Sequence, residues 1–483
     1  MKKIYIAIAI ILLSAVSVSA QNFRTGYFLD GYMYKYKFNP AFQGERGFIS
    51  LPVLGRTSVG VESNLALSTF LYPGTDGRMQ TFLHPNVSDE TFMSRIKDVN
   101  PTSVNADLNI LALGFRAGKT YHTIDFSLRA DVDAALPGDV FRFLKSGGSD
   151  GNTTYNLSAL SASVNSYLQA AYGFSIKIKD IASVGFRAKF LMGVQSFRSE
   201  INDLTLSMSQ DKWMVNAGGN IIASSMVGGL IQGAEPDIQG ELQSLYKTPS
   251  MGAAFDLGFT VDFLKHFTVS ASILDVGFIS WKNMNRYKFD SEPWEYTGFD
   301  NISIEGGSGA SLDEQLDSKL ESLGAMFKFE NPESIDKHMQ MLGMTAMLGL
   351  EFRMPFYNRL SIGALGTHRF EGSHSWTEGR FSLNLAPARW FSIAANYAIS
   401  TFGHSYGAAL NLHPKGFNLF VGVDSFKPLL NVTPQFIPID EINTNLEFGI
   451  TFPFGKYNGR FPKGDKPNKM EGKTKVKVKN QAK

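Results

Sequence analysis

The chain has 483 residues, no Cys and an aromatic content dominated by 39 Phe. Without Cys there is no disulfide, no thiolate nucleophile, no Cys zinc site and no lipoprotein anchor. The formal charge of +2 hides a split: the body Gln21 to Gly455 is −8 and the tail Lys456 to Lys483 is +8, which argues against nucleic-acid binding by the body.

Met1-Lys2-Lys3, the apolar run Ile4 to Leu13 and the small-residue site Val18-Ser19-Ala20 have the order of a bacterial secretory signal peptide, residues 1–20. No later run of about 18 apolar residues occurs, so no spanning helix is expected. The mature chain reads instead as strands. Ile124, Phe126, Leu128, Ala130 and Val132 alternate with Asp125, Ser127, Arg129, Asp131 and Asp133. Val184 to Val194 alternates with Gly185, Arg187, Lys189 and Gly193, and Met251 to Phe263 with Gly252, Asp256, Gly258 and Asp262. Successive strand side chains point to opposite faces, so one face is large and apolar and the other small, polar or charged. Many segments run about ten residues, the length of a tilted membrane strand.

Fourteen spans are read: 57–67, 104–115, 123–133, 167–178, 183–197, 250–263, 266–281, 341–354, 358–370, 378–386, 389–401, 404–413, 416–424 and 443–452. Short and long connections then alternate, with the long ones at 68–103, 134–166, 198–249, 282–340 and 425–442. The parity makes the alternating stretch Ile201 to Val215 a hairpin in an outer loop; counted as spanning, it would give 15 or 16 strands. The fold class is therefore all-β: a transmembrane antiparallel β-barrel of about 14 strands with long outer loops.

Leu312, Leu316, Leu320, Leu323 and Phe327 recur at helical spacing in the loop 282–340, with Ser311 and Glu314 as a capping box. A second helix is read from Ser88 to Val99. The segment 456–483 reads as a basic, disordered periplasmic tail.

The triplet Asn39-Pro40-Ala41, followed by Gly44 and the first strand, resembles the FadL and PorV type of outer-membrane barrel, with closest likeness to an uncharacterised Bacteroidota family within that group. The segments Tyr27 to Gly31 and Ile273 to Trp281 are similar to recurring features of it. The resemblance implies a segment 21–46 tucked inside a barrel 47–455 as a plug carrying the motif Asn39, Pro40 and Ala41. It implies either a FadL-like channel for small solutes, hydrophobic ones among them, or a PorV-like barrel that anchors or serves an envelope or secretion complex. The implied partners are outer-membrane lipid, the barrel-assembly machinery, and either a hydrophobic small-molecule ligand or an envelope protein; the implied site is the outer membrane of a Gram-negative bacterium with both termini periplasmic.

Asp125, Arg129, Asp131, Asp133, Arg187, Lys189, Asp256, Asp262, Glu351, Arg353 and Glu447 fall on the polar face and are expected to line the lumen, as a network of satisfied pairs or as a selectivity lining. No HExxH, Gly-x-Ser-x-Gly or P-loop spacing occurs, so no enzyme and no cofactor are expected. His368 and His374, near Glu371 and Glu378, are the one group whose residue types suit a metal, and no metal is expected there.

Overall fold

The computed structural model describes residues 23–461 except 53, 75–77, 149–150, 180, 225–226, 230–246, 265, 291, 299–311, 326–331 and 427–442. The signal-peptide segment 1–20, Ser311 and the tail beyond 461 lie outside the described residues.

Fourteen wall positions form one closed antiparallel ring. They are β1 (Gly47–Ser50 and Thr57–Ser63), β2 (Val99–Ala117), β3 (Thr120–Pro137), β4 (Ser161–Ile178), β5 (Ala182–Ser209), β6 (Ser250–Phe263), β7 (Phe267–Trp281), β8 (Met344–Arg353), β9 (Leu360–Phe370), β10 (Trp376–Ala388), β11 (Phe391–Ser400), β12 (Gly403–Leu412), β13 (Asn418–Val423) and β14 (Asn443–Phe454). Closure is at β1, where Val59 lies beside Leu446 of β14 and beside Ala106 of β2, so the ring has no free edge.

Burial along the strands inverts the rule for soluble proteins. On β6, Met251, Phe255, Leu257 and Phe259 are exposed while Asp256 is wholly buried. Phe126, Phe190, Leu348 and Phe381 likewise face outward. Only hydrocarbon suits such an exterior, and only a closed ring pairs every wall N–H and C=O there. The protein is an outer-membrane β-barrel.

Two wall irregularities matter below. Residues 51–56 leave β1 between its two segments; Ile450 N–H donates to Leu54 O and Asn109 N–H to Arg56 O, so the excursion stays tied to the wall and the Arg56 side chain is buried. In β7, Asp275 has φ +60°, and its N–H donates to Asp256 across a register shift between Phe255 and Leu257.

β5 continues past the wall and returns as Trp213–Ser224, pairing Met208 with Trp213. The stretch 201–215 is thus a hairpin outside the wall, and the strand number is 14 rather than 15 or 16. Two expected boundaries shift. The first span ends at Ser63, not 67, because Leu67–Phe70 winds one helical turn. The helix read at 88–99 is only α1 (Asp89–Met93), capped by Ser88, because the chain is already in β2 at Val99. Loop helices α2 (Gly138–Ser146) and α3 (Leu312–Ala325) complete the long-loop end.

Candidate functional site

Residues 23–46 run through the inside of the ring, entering β1 at its short-turn end. They form no long element, only 3-10 turns at Arg24–Gly26 and Lys35–Lys37. Their side chains are strongly aromatic: Phe23, Tyr27, Phe28, Tyr32, Tyr34, Tyr36 and Phe38 are all buried. Tyr32 and Tyr34 meet Phe420 of β13 edge-on, and Tyr34 meets Phe48 of β1. A fourteen-strand ring is too wide for wall side chains alone to fill. Inward glycines make room for the rings: a Cβ on Gly349 would crowd Tyr27, one on Gly363 Phe28, and one on Gly422 Phe23.

Asn39-Pro40-Ala41 sits against β5, β6 and β7. Asn39 Nδ2 donates to the carbonyls of Phe259 (3.2 Å) and Ala271 (3.0 Å), which are register partners of β6 and β7. Asn39 Oδ1 accepts from Ala41 N–H at 2.9 Å, closing an Asx turn. Ser272 Oγ donates to Phe38 O at 2.7 Å. Pro40 rests where Gly185 and Gly258 pair, and a side chain on either glycine would overlap the motif.

Ion pairs join this segment to the wall at two places. Arg24 reaches Glu62 of β1 (2.5 Å), Glu378 of β10 (3.0 Å) and Asp424 (3.9 Å). Its own N–H and that of Thr25 also donate to the Asp424 carboxylate. Lys37 reaches Asp107 of β2 (2.9 Å) and Asp125 of β3 (3.9 Å).

The lumen candidates fall into three groups. Asp125, Arg187, Asp256 and Lys189 form one chain: Arg187 bridges Asp125 (2.5 Å) and Asp256 (3.3 Å), and Lys189 bridges Asp256 (2.6 Å) and Asp275 (2.5 Å). Arg129 extends it, 3.0 Å from Asp275. Asp131 lies apart from that chain's contacts, 3.8 Å from Arg369, which also holds Glu371. Glu351 and Arg353 lie near the short-turn end; Arg353 is 3.9 Å from Glu351 and 3.8 Å from Asp262. Asp262 itself is half exposed, next to the last residue of β6, and so stands at the rim and not deep in the lumen. Asp133 accepts from Ser103 Oγ, and Glu447 pairs with Arg56 at 2.7 Å and with Tyr32.

Several partners escaped the sequence reading. Arg24 and Lys37 lie in a segment with no periodicity. Arg56 lies in the excursion and Asp275 at a break, where alternation loses phase. Asp107 and Glu378 were legible by parity alone, since both share the inner face of a read span. Among the described residues no group of three His, Asp or Glu side chains is arranged to hold a metal. Glu371 and Glu378 are engaged by Arg369 and Arg380, and His368 Nδ1 lies 2.7 Å from Thr377 Oγ1.

At the short-turn end the segment expected to be free from 456 onward begins instead as structure. Arg460 forms a bidentate pair with Glu351 (2.7 and 2.9 Å) and lies 3.3 Å from Asp30, while Phe461 is buried beneath the Arg359 guanidinium. Ion pairing at an otherwise basic tail holds these six residues. Here burial pushes the Glu45 carboxyl up to about 7, with the Asp30 charge adding to the effect, and burial pushes His413 down to about 4.

A family model described as "Family of unknown function (DUF5723)" matches residues 40–424. A search of curated proteins gives no match. Among solved structures, the Ralstonia pickettii toluene transporter TbuX is similar at 10% identity, covering 87% of this chain and 94% of its own, with a TM-score of 0.41. The Pseudomonas putida toluene transporter TodX is similar at 8% identity (91% and 96% covered, TM-score 0.36). A Pseudomonas aeruginosa FadL homologue is similar at 10% identity (90% and 99% covered, TM-score 0.38).

Proposed function

The chain belongs to the DUF5723 family of unknown function, and from its lumen we propose that it is a gated outer-membrane channel for small solutes whose gate is the segment 23–46. The carrying observation is how that segment is held. Arg24 and Lys37 are buried yet fixed by carboxylates of β1, β2, β3 and β10. Buried ion pairs are poor sources of stability compared with apolar packing, and their best attested use is to set a register or a switch. A plug that served only as filler would be better held by more aromatic contacts. A plug held by charges can be released when water or solute reaches them. The aromatic rings beside the path suit hydrophobic solutes among those admitted.

The test is single-channel conductance of the purified protein in planar bilayers, beside a variant lacking residues 23–46. Refolding of the variant is checked by its heat-modifiable mobility. The intact protein should be closed for most of the record and the deletion variant open. A folded deletion variant that conducts no more than the intact protein would overturn the gate.

The filled lumen also favours a second reading, an anchoring barrel for an envelope complex. The hairpin of β5 and Trp213–Ser224 carries Trp213 exposed beside Tyr296, the kind of surface a partner covers. Stoichiometric co-purification of an envelope protein with a deletion variant that stays closed would select it.

A further inference from the structure

A cavity of about 530 Å³ opens at the short-turn end, outside the plugged lumen. Arg46 where the plug enters β1, Arg389 and Trp390 between β10 and β11, His413 and Lys415 between β12 and β13, and Tyr457 beyond β14 line it. Four separate chain segments therefore converge on one space of the size that holds a small molecule.

The lining is cationic. The Arg389 guanidinium lies 4.6 Å from the centre of the Tyr457 ring and that of Arg46 5.4 Å from it, so two positive groups are held close together. Lys415 adds a third. The single acid of the lining is Glu45, whose carboxyl is only part ionised near neutrality. Cations gathered against a single weak acid suit an acceptor that comes from outside the wall. The chain's own tail does not supply it, since residues 462–483 carry eight Lys and two acids.

We propose that this cavity binds a soluble organic phosphate monoester. Two held guanidiniums and the exposed Lys415 against one weak acid leave about two positive charges, and a phosphate monoester brings about −1.5 to −2 at pH 7 with oxygens that accept from guanidinium forks. Trp390, half exposed at the cavity, offers an apolar surface for the organic part. Arg46 and Glu45 belong to the segment 23–46, so the site is complete while that segment is docked, and Arg389, Trp390, His413, Lys415 and Tyr457 lie outside it.

The test is calorimetric titration of the full-length protein in a neutral detergent with phenyl phosphate. Saturable binding is expected, with benzoate at least tenfold weaker because it carries one charge, and benzyl alcohol without effect. Arg389→Gln and Lys415→Gln should each weaken phenyl phosphate about tenfold with the heat-modifiable mobility unchanged. Absent binding, equal binding of benzyl alcohol, or undiminished binding by the folded Arg389→Gln protein would overturn the proposal. Displacement of phenyl phosphate by added phosphatidylglycerol would assign the cavity to lipid headgroups and overturn the soluble ligand.

Discussion

Asn39 occupies the space that a side chain on Gly258 would need: a Cβ there would overlap the Asn39 side-chain oxygen. Gly258 is paired with Gly185, so the wall presents a two-glycine slot where the plug chain turns. The motif works here as an anchor between chain and wall.

Filling that slot should loosen the plug. Gly258→Ala should destabilise the docked segment by about 1–3 kcal/mol, the usual range for overpacking. Asn39→Ala should act in the same direction by removing two donors to wall carbonyls. Limited proteolysis, read as cleavage between residues 23 and 46, checks both; unchanged cleavage would count against the anchor.

The ionic latch makes a larger prediction. Arg24→Met strips Glu62 of the cation 2.5 Å away and leaves Arg380 alone to face Glu378 and Asp424. Breaking a buried pair from one side costs about 3–5 kcal/mol. Channel openings should become longer or more frequent than in the parent protein, and an unaltered record would show that the latch does not gate.

Because the chain has no Cys, the plug can be locked without background. A Cβ on Gly407 would lie 2.7 Å from Thr25 Oγ1, so sulfurs at the two positions can meet once Asn396 Nδ2 (2.5 Å) and Asp424 O (2.7 Å) give way. The pair Thr25→Cys with Gly407→Cys should abolish openings when oxidised and recover them on reduction. Openings that persist in the cross-linked protein would mean that solute bypasses residue 25.

Two groups at the short-turn end should titrate with opposite signs over overlapping windows below neutrality. The folded Glu45 carboxyl sits at about 7, above its ordinary 4.5, so its contribution is complete below about 4.5 and is lost as pH rises through about 7. His413 sits at about 4, below its ordinary 6.5, so it stays neutral when folded, and its contribution is lost as pH falls from about 6.5 through 4. The two slopes oppose each other, so hydrogen-exchange protection of residues 456–461 should change little between about 4.5 and 6.5. Glu45→Gln should leave only the loss as pH falls, and His413→Gln only the loss as pH rises.

A charge on the outer face tests the membrane setting. Leu348 is 62% exposed on β8, and Leu348→Arg should cost about 2–4 kcal/mol of barrel stability in a bilayer. Urea unfolding in lipid vesicles measures it; a neutral result would place Leu348 away from hydrocarbon.

Local chemistry determined the wall. A strand alternates every second residue whatever surrounds it, so Phe126 beside Asp125 and Phe255 beside Asp256 were enough to separate the two faces and to count the spans. Pairing of the charges was a different matter. Asp125, Arg187, Asp256 and Lys189 were assigned to one face, yet the link from Lys189 to Arg129 through Asp275 depends on a positive-φ break in β7 that carries no periodic signal. The plug was still less legible. Arg24 meets Asp424 across 400 positions of sequence, and no local pattern encodes a contact that exists only once the ring has closed around the chain. Parity of a repeating backbone is written residue by residue, whereas the contents of the lumen are decided by which distant side chains the closed barrel brings within reach.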